Sequence, residues 1–264
     1  MSSGAGSNIP WFRRACAALL MTLLGGVISP LAAQTPAPSP PSIGAVLREV
    51  PPDLLHFISW DTGAVLSIGG AAAAVGHIWD DDLADEIETN VNLNNAMAPG
   101  HTYGAFSMQA LIGVGLYTSG WFAKKERLAR TGGDIMRAQV LSQLYVQALK
   151  YSVQRERPDQ SDHQSFPSGH SASAFATAGV LQRHYGWKAG VPATVVAAYV
   201  ATARVHDNRH YLSDVIFGAA MGIAAERTVT LHAGRYNVTL APSAGASRAG
   251  VIAVVHPRSW PVSQ

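Results

Sequence analysis

Residues 133–153 read GDIMRAQVLSQLYVQALKYSV. Apolar residues recur along this stretch at spacings of three and four, the mark of one face of an α-helix. Gln139, Gln143 and Gln147 form a second, polar stripe at a spacing of four. A helix with both stripes belongs in a bundle, apolar face inward and polar face toward water. The same periodicity predicts helices at about 43–57, 60–78, 102–123, 170–184, 189–204 and 210–229, separated by Gly, Pro, Asp and Asn clusters. The fold class expected is therefore all-α, a helical bundle of about six core helices over residues 42–230, with no internal repeat.

Two segments depart from that pattern. Between Ile78 and Gly100 lie Asp80, Asp81, Asp82, Asp85, Glu86 and Glu88 and then an Asn-rich run. Without the spacing of a calcium loop, they read as a solvated acidic helix start or loop. The tail, residues 231–264, has β-branched runs at Tyr236–Leu240 and Gly250–Val255, which predict a short C-terminal β-hairpin.

At the other end, Arg13 and Arg14 precede an apolar run from Ala15 to Ile28 and the small residues Ala32 and Ala33. That order is the one of a secretory signal peptide over 1–33, shorter in its apolar part than the ~20 residues of a membrane span. A Pro-rich linker, QTPAPSPP, follows at 34–41. The domain is thus expected to be exported, most simply to a periplasm.

Of 264 residues 48% are hydrophobic and 14% charged, which excludes a disordered chain. The formal charge of +2 is too small for an electrostatic nucleic-acid binder. Loss of Arg13 and Arg14 with the leader makes the remainder neutral. The single cysteine, Cys16, excludes a disulfide framework or a Cys-rich metal site. Polar residues interrupt every apolar run after the leader, so a soluble domain is expected, with membrane association as the alternative.

Three blocks carry chemistry. In the first, Lys150 precedes Arg157 and Pro158 by six intervening residues. Pro158 disfavours helix at Arg157, which can fold back from an extended link toward Lys150. In the second, Pro167, Ser168, Gly169 and His170 open a helix. Its N-terminal amides, the Ser168 hydroxyl and the positive dipole end suit a phosphate oxygen, with His170 beside it as proton donor. In the third, Arg204, His210 and Asp214 are separated by five and three residues. Asp214 then lies one helical turn from His210, where its carboxylate can reach one ring nitrogen and leave the other free to attack an electrophile. Fixed cations, backbone amides and two histidines are a set suited to metal-free phosphoryl transfer.

In this order, K-x6-RP, PSGH and R-x5-H-x3-D, fixing ten residues, the blocks resemble the type 2 phosphatidic acid phosphatase and vanadium haloperoxidase superfamily. The resemblance implies phosphate binding by Lys150, Arg157, Ser168, Gly169 and Arg204. It also implies His210 as the nucleophile that becomes phosphohistidine, Asp214 as the group that orients it, and His170 as general acid. No metal or other cofactor is implied, although vanadate could occupy the phosphate site. The family usually has Ser before the third-block Arg, where this chain has Ala203.

The activity expected first is an exported phosphomonoesterase of the acid phosphatase type. Its alternative is a membrane-associated lipid phosphatase acting on phosphatidate or polyprenyl diphosphate, and a vanadium haloperoxidase ranks below both. The partner is a phosphorylated small molecule or lipid. Asp162, His163, His206, Asp207 and Asn208 read as solvated loop residues flanking the blocks.

Overall fold

The computed structural model describes residues 39–88, 94–232, 236–245 and 248–257. The expected signal peptide lies outside them, as does most of the linker.

The described chain is all-helical in its bundle. Short helices α1 (Ile43–Arg48) and α2 (Val50–His56) lead into α3 (Trp60–Gly76), a 3-10 turn (His77–Trp79) and α4 (Asp80–Glu88). Then come α5 (Asn94–Gly104), α6 (Phe106–Phe122), α7 (Glu126–Val153), α8 (Gly169–Tyr185), α9 (Trp187–His206) and α10 (Leu212–His232). The helix expected over 43–57 is two, because Pro51 begins a new first turn, a position where proline costs no hydrogen bond. The acidic segment is not a loop at its start: α4 begins on Asp80, which is buried. Beyond the bundle, the backbone of Tyr236–Gly245 runs antiparallel to Arg248–Pro257. A two-stranded ribbon is marginal by itself, so the expected hairpin is not counted in the fold.

Ile135, Leu141, Val146, Ala172, Ala176, Val180, Met221 and Val229, from α7, α8 and α10, form the main core with Phe57. A buried guanidinium pins the entry segment to it: Arg137 on α7 donates to both oxygens of Asp53 on α2 at 2.7 and 2.8 Å, and to Asp134 at 3.0 Å.

The polar stripe of α7 is wet only at Gln147, which is exposed. Gln139 is fully buried and donates to the Ser173 carbonyl and the Thr177 hydroxyl of α8 at 2.9 and 3.0 Å. Gln143 donates to the Gly169 carbonyl and Ser173 Oγ at 3.0 and 2.9 Å, so these two glutamines grip the start of α8.

Polarity is inverted on the outer helices. α3 buries Thr62, Gly69, Ala73 and Gly76 while Trp60, Ile68 and Val75 stand exposed. α6 buries Gln109, Gly113, Tyr117 and Gly120 and exposes Leu111, Val114, Trp121 and Phe122. α9 likewise exposes Trp187, Val191, Val195 and Val196. Small residues inward and large apolar ones outward is the packing of helices in lipid, where hydrophobicity does not drive association and close backbone approach does. The helical run Trp60–Asp85 is long and apolar enough to cross a membrane: an 18-residue stretch of it has a mean hydropathy of 1.3 and is only 22% buried, so its apolar surface is not spent on the core. These features favour the membrane-associated alternative over a soluble domain.

Helices α6 and α7 cross closely, so that a Cβ on Gly132 would lie 2.2 Å from the backbone nitrogen of Tyr117. Gly132→Ala should therefore force the helices apart and lower the unfolding midpoint in detergent, at a cost of about 1–3 kcal/mol. Gly115→Ala, on the open side of α6 with nothing within 4 Å, should leave it unchanged or raise it. Equal effects of the two would refute the close-packing account.

Candidate active site

The motif residues gather at one end of the bundle, where α7 ends and α8 and α10 begin. Lys150 is the buried basic residue of the last turn of α7, and its ammonium donates to the Gln164 carbonyl. The helix stops at Gln154, in the left-handed region at φ 50°, and the chain turns into the loop that carries Arg155 and Arg157. Arg157 donates through Nε to Asp162 at 2.6 Å and through Nη1 to the Arg209 carbonyl at 2.9 Å. Arg209 in turn donates to Asp159 and Ser161, tying the 155–165 loop to the 207–211 loop.

Ser168 caps α8, accepting from the Ser171 amide at 3.4 Å, and its own amide donates to the Asp214 carbonyl at 3.0 Å. This leaves the amides of Gly169 and His170 at the helix N-terminus, where a helix has donors to offer an anion. The α8–α10 approach that brings this turn to Asp214 needs Gly218, where a Cβ would meet the Ser168 carbonyl at 2.5 Å. His170 packs against His101 of α5 with ring centroids 5.4 Å apart. Its Nε2 is buried with no protein partner, as is Nε of Arg204. Arg204 is itself buried and donates through Nη1 to Asp207 at 2.8 Å.

His170 feels the charges of Arg204 and Lys150, Lys150 those of Arg157, Asp214 and Arg204, and His210 those of Lys150, Asp214 and Arg157. All eight sequence-predicted site residues thus share one neighbourhood: Lys150, Arg157, Ser168, Gly169, His170, Arg204, His210 and Asp214. Ala203 is fully buried, and a Cβ on Gly100 of α5 would meet its methyl at 2.5 Å, so α5 closes tightly over this position.

One expected contact differs. The Asp214 carboxylate does not bond the His210 ring: Oδ2 is 3.8 Å from Nδ1. The carbonyl of Ser165 lies 2.6 Å from Nδ1 instead. A carbonyl only accepts, so Nδ1 carries the hydrogen and the Nε2 lone pair is left for chemistry. Asp214, fully buried, is occupied elsewhere: Oδ2 accepts from Ser165 Oγ at 2.5 Å and the Tyr211 amide at 2.9 Å, and Oδ1 from Arg155 at 2.8 Å. It acts on His210 through Ser165.

Reading the sequence missed Ser165, Arg155, Asp80 and His101. No spacing flags them, since each meets its partner only through the fold. It also read Asp162 and Asp207 as solvated, whereas both pair with site arginines.

Residues 134–236 match the family model described as PAP2 superfamily. That stretch contains all eight of the site residues. Over 81 residues, 30% of this chain, it is 44% identical to the lipid A 1-phosphatase of Porphyromonas gingivalis. Over 64 residues it is 34% identical to the lipid A 4'-phosphatase of Helicobacter pylori. The matched stretches span only 18% and 32% of those relatives' own lengths. The fold is similar to that of a transmembrane PAP2 type phosphatidylglycerolphosphate phosphatase from Bacillus subtilis, at a TM-score of 0.55 and 24% identity, over 65% of this chain and 94% of that one.

Burial, above all, pushes the His210 imidazole down to about 4; the Asp214 carboxylate opposes this fall, and Lys150 and Arg157 add to it. Between about pH 6.5 and 4 the unfolded chain therefore takes up a proton that folded His210 refuses, and stability declines as pH falls through that window. His210→Gln, which cannot titrate, should lose less thermal stability than wild type between pH 7 and 5 in the same detergent. An equal or greater loss would contradict a neutral, buried imidazole.

Proposed function

We propose that this protein is a membrane-embedded lipid phosphatase of the PAP2 superfamily that removes a phosphate group from a lipid headgroup through a phosphohistidine on His210. The observation that carries the reading is the Ser165 carbonyl on Nδ1 of His210, which leaves Nε2 as a nucleophile in the neighbourhood of Lys150, Arg157 and Arg204. Lys150, Arg157, Arg204 and the α8 amides hold the phosphate oxygens. The orphaned Nε of Arg204 and Nε2 of His170 gain a partner when an anion sits among them, removing the cost of burying them unpaired.

Nε2 of His210 attacks phosphorus, and the bond from phosphorus to the lipid oxygen breaks. His170, protonated under the influence of the bound dianion, gives its proton to that oxygen. Water then attacks the phosphohistidine, His170 takes a proton from it, and inorganic phosphate leaves with His210 restored. No step draws on a metal.

The lipid reading rests on the molecule's outer surface. From Trp60 to Trp79 the exposed run of α3 and its 3-10 turn measures about 28 Å at ~1.5 Å per residue, close to the ~30 Å hydrocarbon core of a bilayer. Exposed Trp60, Trp121, Phe122 and Trp187 lie at the bundle end away from the motifs. Exposed basic residues Lys124, Lys125, Arg127 and Lys188 lie there too. Aromatic side chains mark a membrane boundary of either side, and an excess of Lys and Arg marks the cytoplasmic one, so the site opens to the opposite, non-cytoplasmic face. A lipid carrying an exposed phosphate monoester there, as the names of the lipid A phosphatase relatives suggest, fits both the site and its position.

The full chain should fractionate with membranes, need detergent for extraction, and release phosphate from lipid A in mixed micelles in the presence of a chelator. His210→Ala should lower the rate at least 100-fold. A soluble chain that hydrolyses a water-soluble ester and ignores lipid would overturn the lipid reading, and substantial residual turnover in the variant would overturn the nucleophile.

A further inference from the structure

Behind the motif residues lies a second set of charges that the family motifs do not include, a half-buried guanidinium between two buried carboxylates. Arg155, in the loop after α7, donates through Nη1 to Asp214 Oδ1 at 2.8 Å and to Ser213 Oγ at 2.7 Å. Through Nη2 it donates to Asp80 Oδ2 at 2.9 Å. Its guanidinium lies over the Tyr211 ring, 4.1 Å from the centroid. Asp80 comes from outside the family match, at the start of α4, and its side chain is fully buried. It accepts from the amide of Ser213 at 2.9 Å and the Ser213 hydroxyl at 2.6 Å, so a carboxylate from a distant helix caps the first turn of α10. Its fourth contact is Nδ1 of His77, at 2.7 Å.

These contacts form one chain of groups. Asp80 fixes Arg155 and Ser213; Arg155 fixes Asp214; Asp214 fixes Ser165 through its hydroxyl; and the Ser165 carbonyl fixes the His210 ring. A guanidinium between two buried carboxylates is the arrangement in which removing one member leaves an uncompensated charge on the others. Asp214 without Arg155 would seek another donor, and its hold on Ser165 would loosen.

We infer that Arg155 and Asp80 are positioning residues for the proposed reaction: they set the orientation of His210 through Asp214 and Ser165 without touching substrate. This rests on His210 being the nucleophile. A group that acts only on the nucleophile's orientation changes the chemical step and leaves substrate binding alone, because the phosphate is held by Lys150, Arg157, Arg204 and the α8 amides.

The test is steady-state hydrolysis of lipid A in mixed micelles by the full chain in detergent. Arg155→Ala should lower kcat about 100-fold with KM within about twofold of wild type, and Arg155→Lys, which keeps the charge and some of its contacts, should recover at least a tenth of the wild-type rate. Should Arg155→Ala fail to fold, Asp80→Asn serves as the second variant; it keeps the shape and removes the charge that anchors Arg155, and should lower kcat about tenfold at unchanged KM. Wild-type turnover in either variant, or a rise in KM matching the fall in kcat, would overturn the inference. Absence of activity in the wild type would instead overturn the phosphatase reading beneath it.

Discussion

The arrangement at the motif end of the bundle depends on one buried carboxylate. Asp214 accepts from Arg155, from the Ser165 hydroxyl and from the Tyr211 amide, and its backbone carbonyl receives the Ser168 amide. Those partners come from the loop after α7, the turn before α8 and the start of α10. A carboxylate without water is costly to bury unless its acceptor sites are filled, so the three segments are held together by the same requirement that keeps Asp214 ionised. Placement of the Ser165 carbonyl on His210, and of the α8 amides beside it, follows from that.

The bundle serves this point by unusual means. Gly132 against Tyr117 and Gly218 against Ser168 let backbones approach where a methyl would not fit. Leu, Val, Ile and Trp are meanwhile turned outward on α3, α6 and α9. In water such a surface would aggregate; in lipid it is at home. The polar groups that remain inside, such as Gln139, Gln143 and Arg137, are paired across helices, as the low-dielectric interior demands. A site that handles a phosphate at the end of such a bundle sits where a lipid presents its headgroup.

Much of this was legible in the sequence, and the errors have physical causes. Helices were readable because three- and four-residue spacing survives whatever medium covers the apolar face. The motif residues were readable because they lie at helix ends, where local spacing fixes geometry. Periodicity shows that Gln139 and Gln143 share a face but not what that face meets, and it met α8 instead of solvent. Asp80 looked solvated beside Asp81 and Asp82 because its partners, Arg155 and Ser213, are 75 and 133 residues away. Asp214 and His210, four apart, promised a direct contact; the bound Ser165 hydroxyl and Tyr211 amide turn the carboxylate aside, and a carbonyl takes its place.

The central claim is that His210 Nε2 attacks phosphorus and a second displacement by water follows. Each in-line displacement inverts phosphorus, so two in succession restore its configuration. Hydrolysis of a phosphorothioate ester made chiral at phosphorus by two oxygen isotopes, in water carrying the third, followed by analysis of the released thiophosphate, measures this directly. The account predicts net retention; net inversion, the signature of direct attack by water, would contradict it.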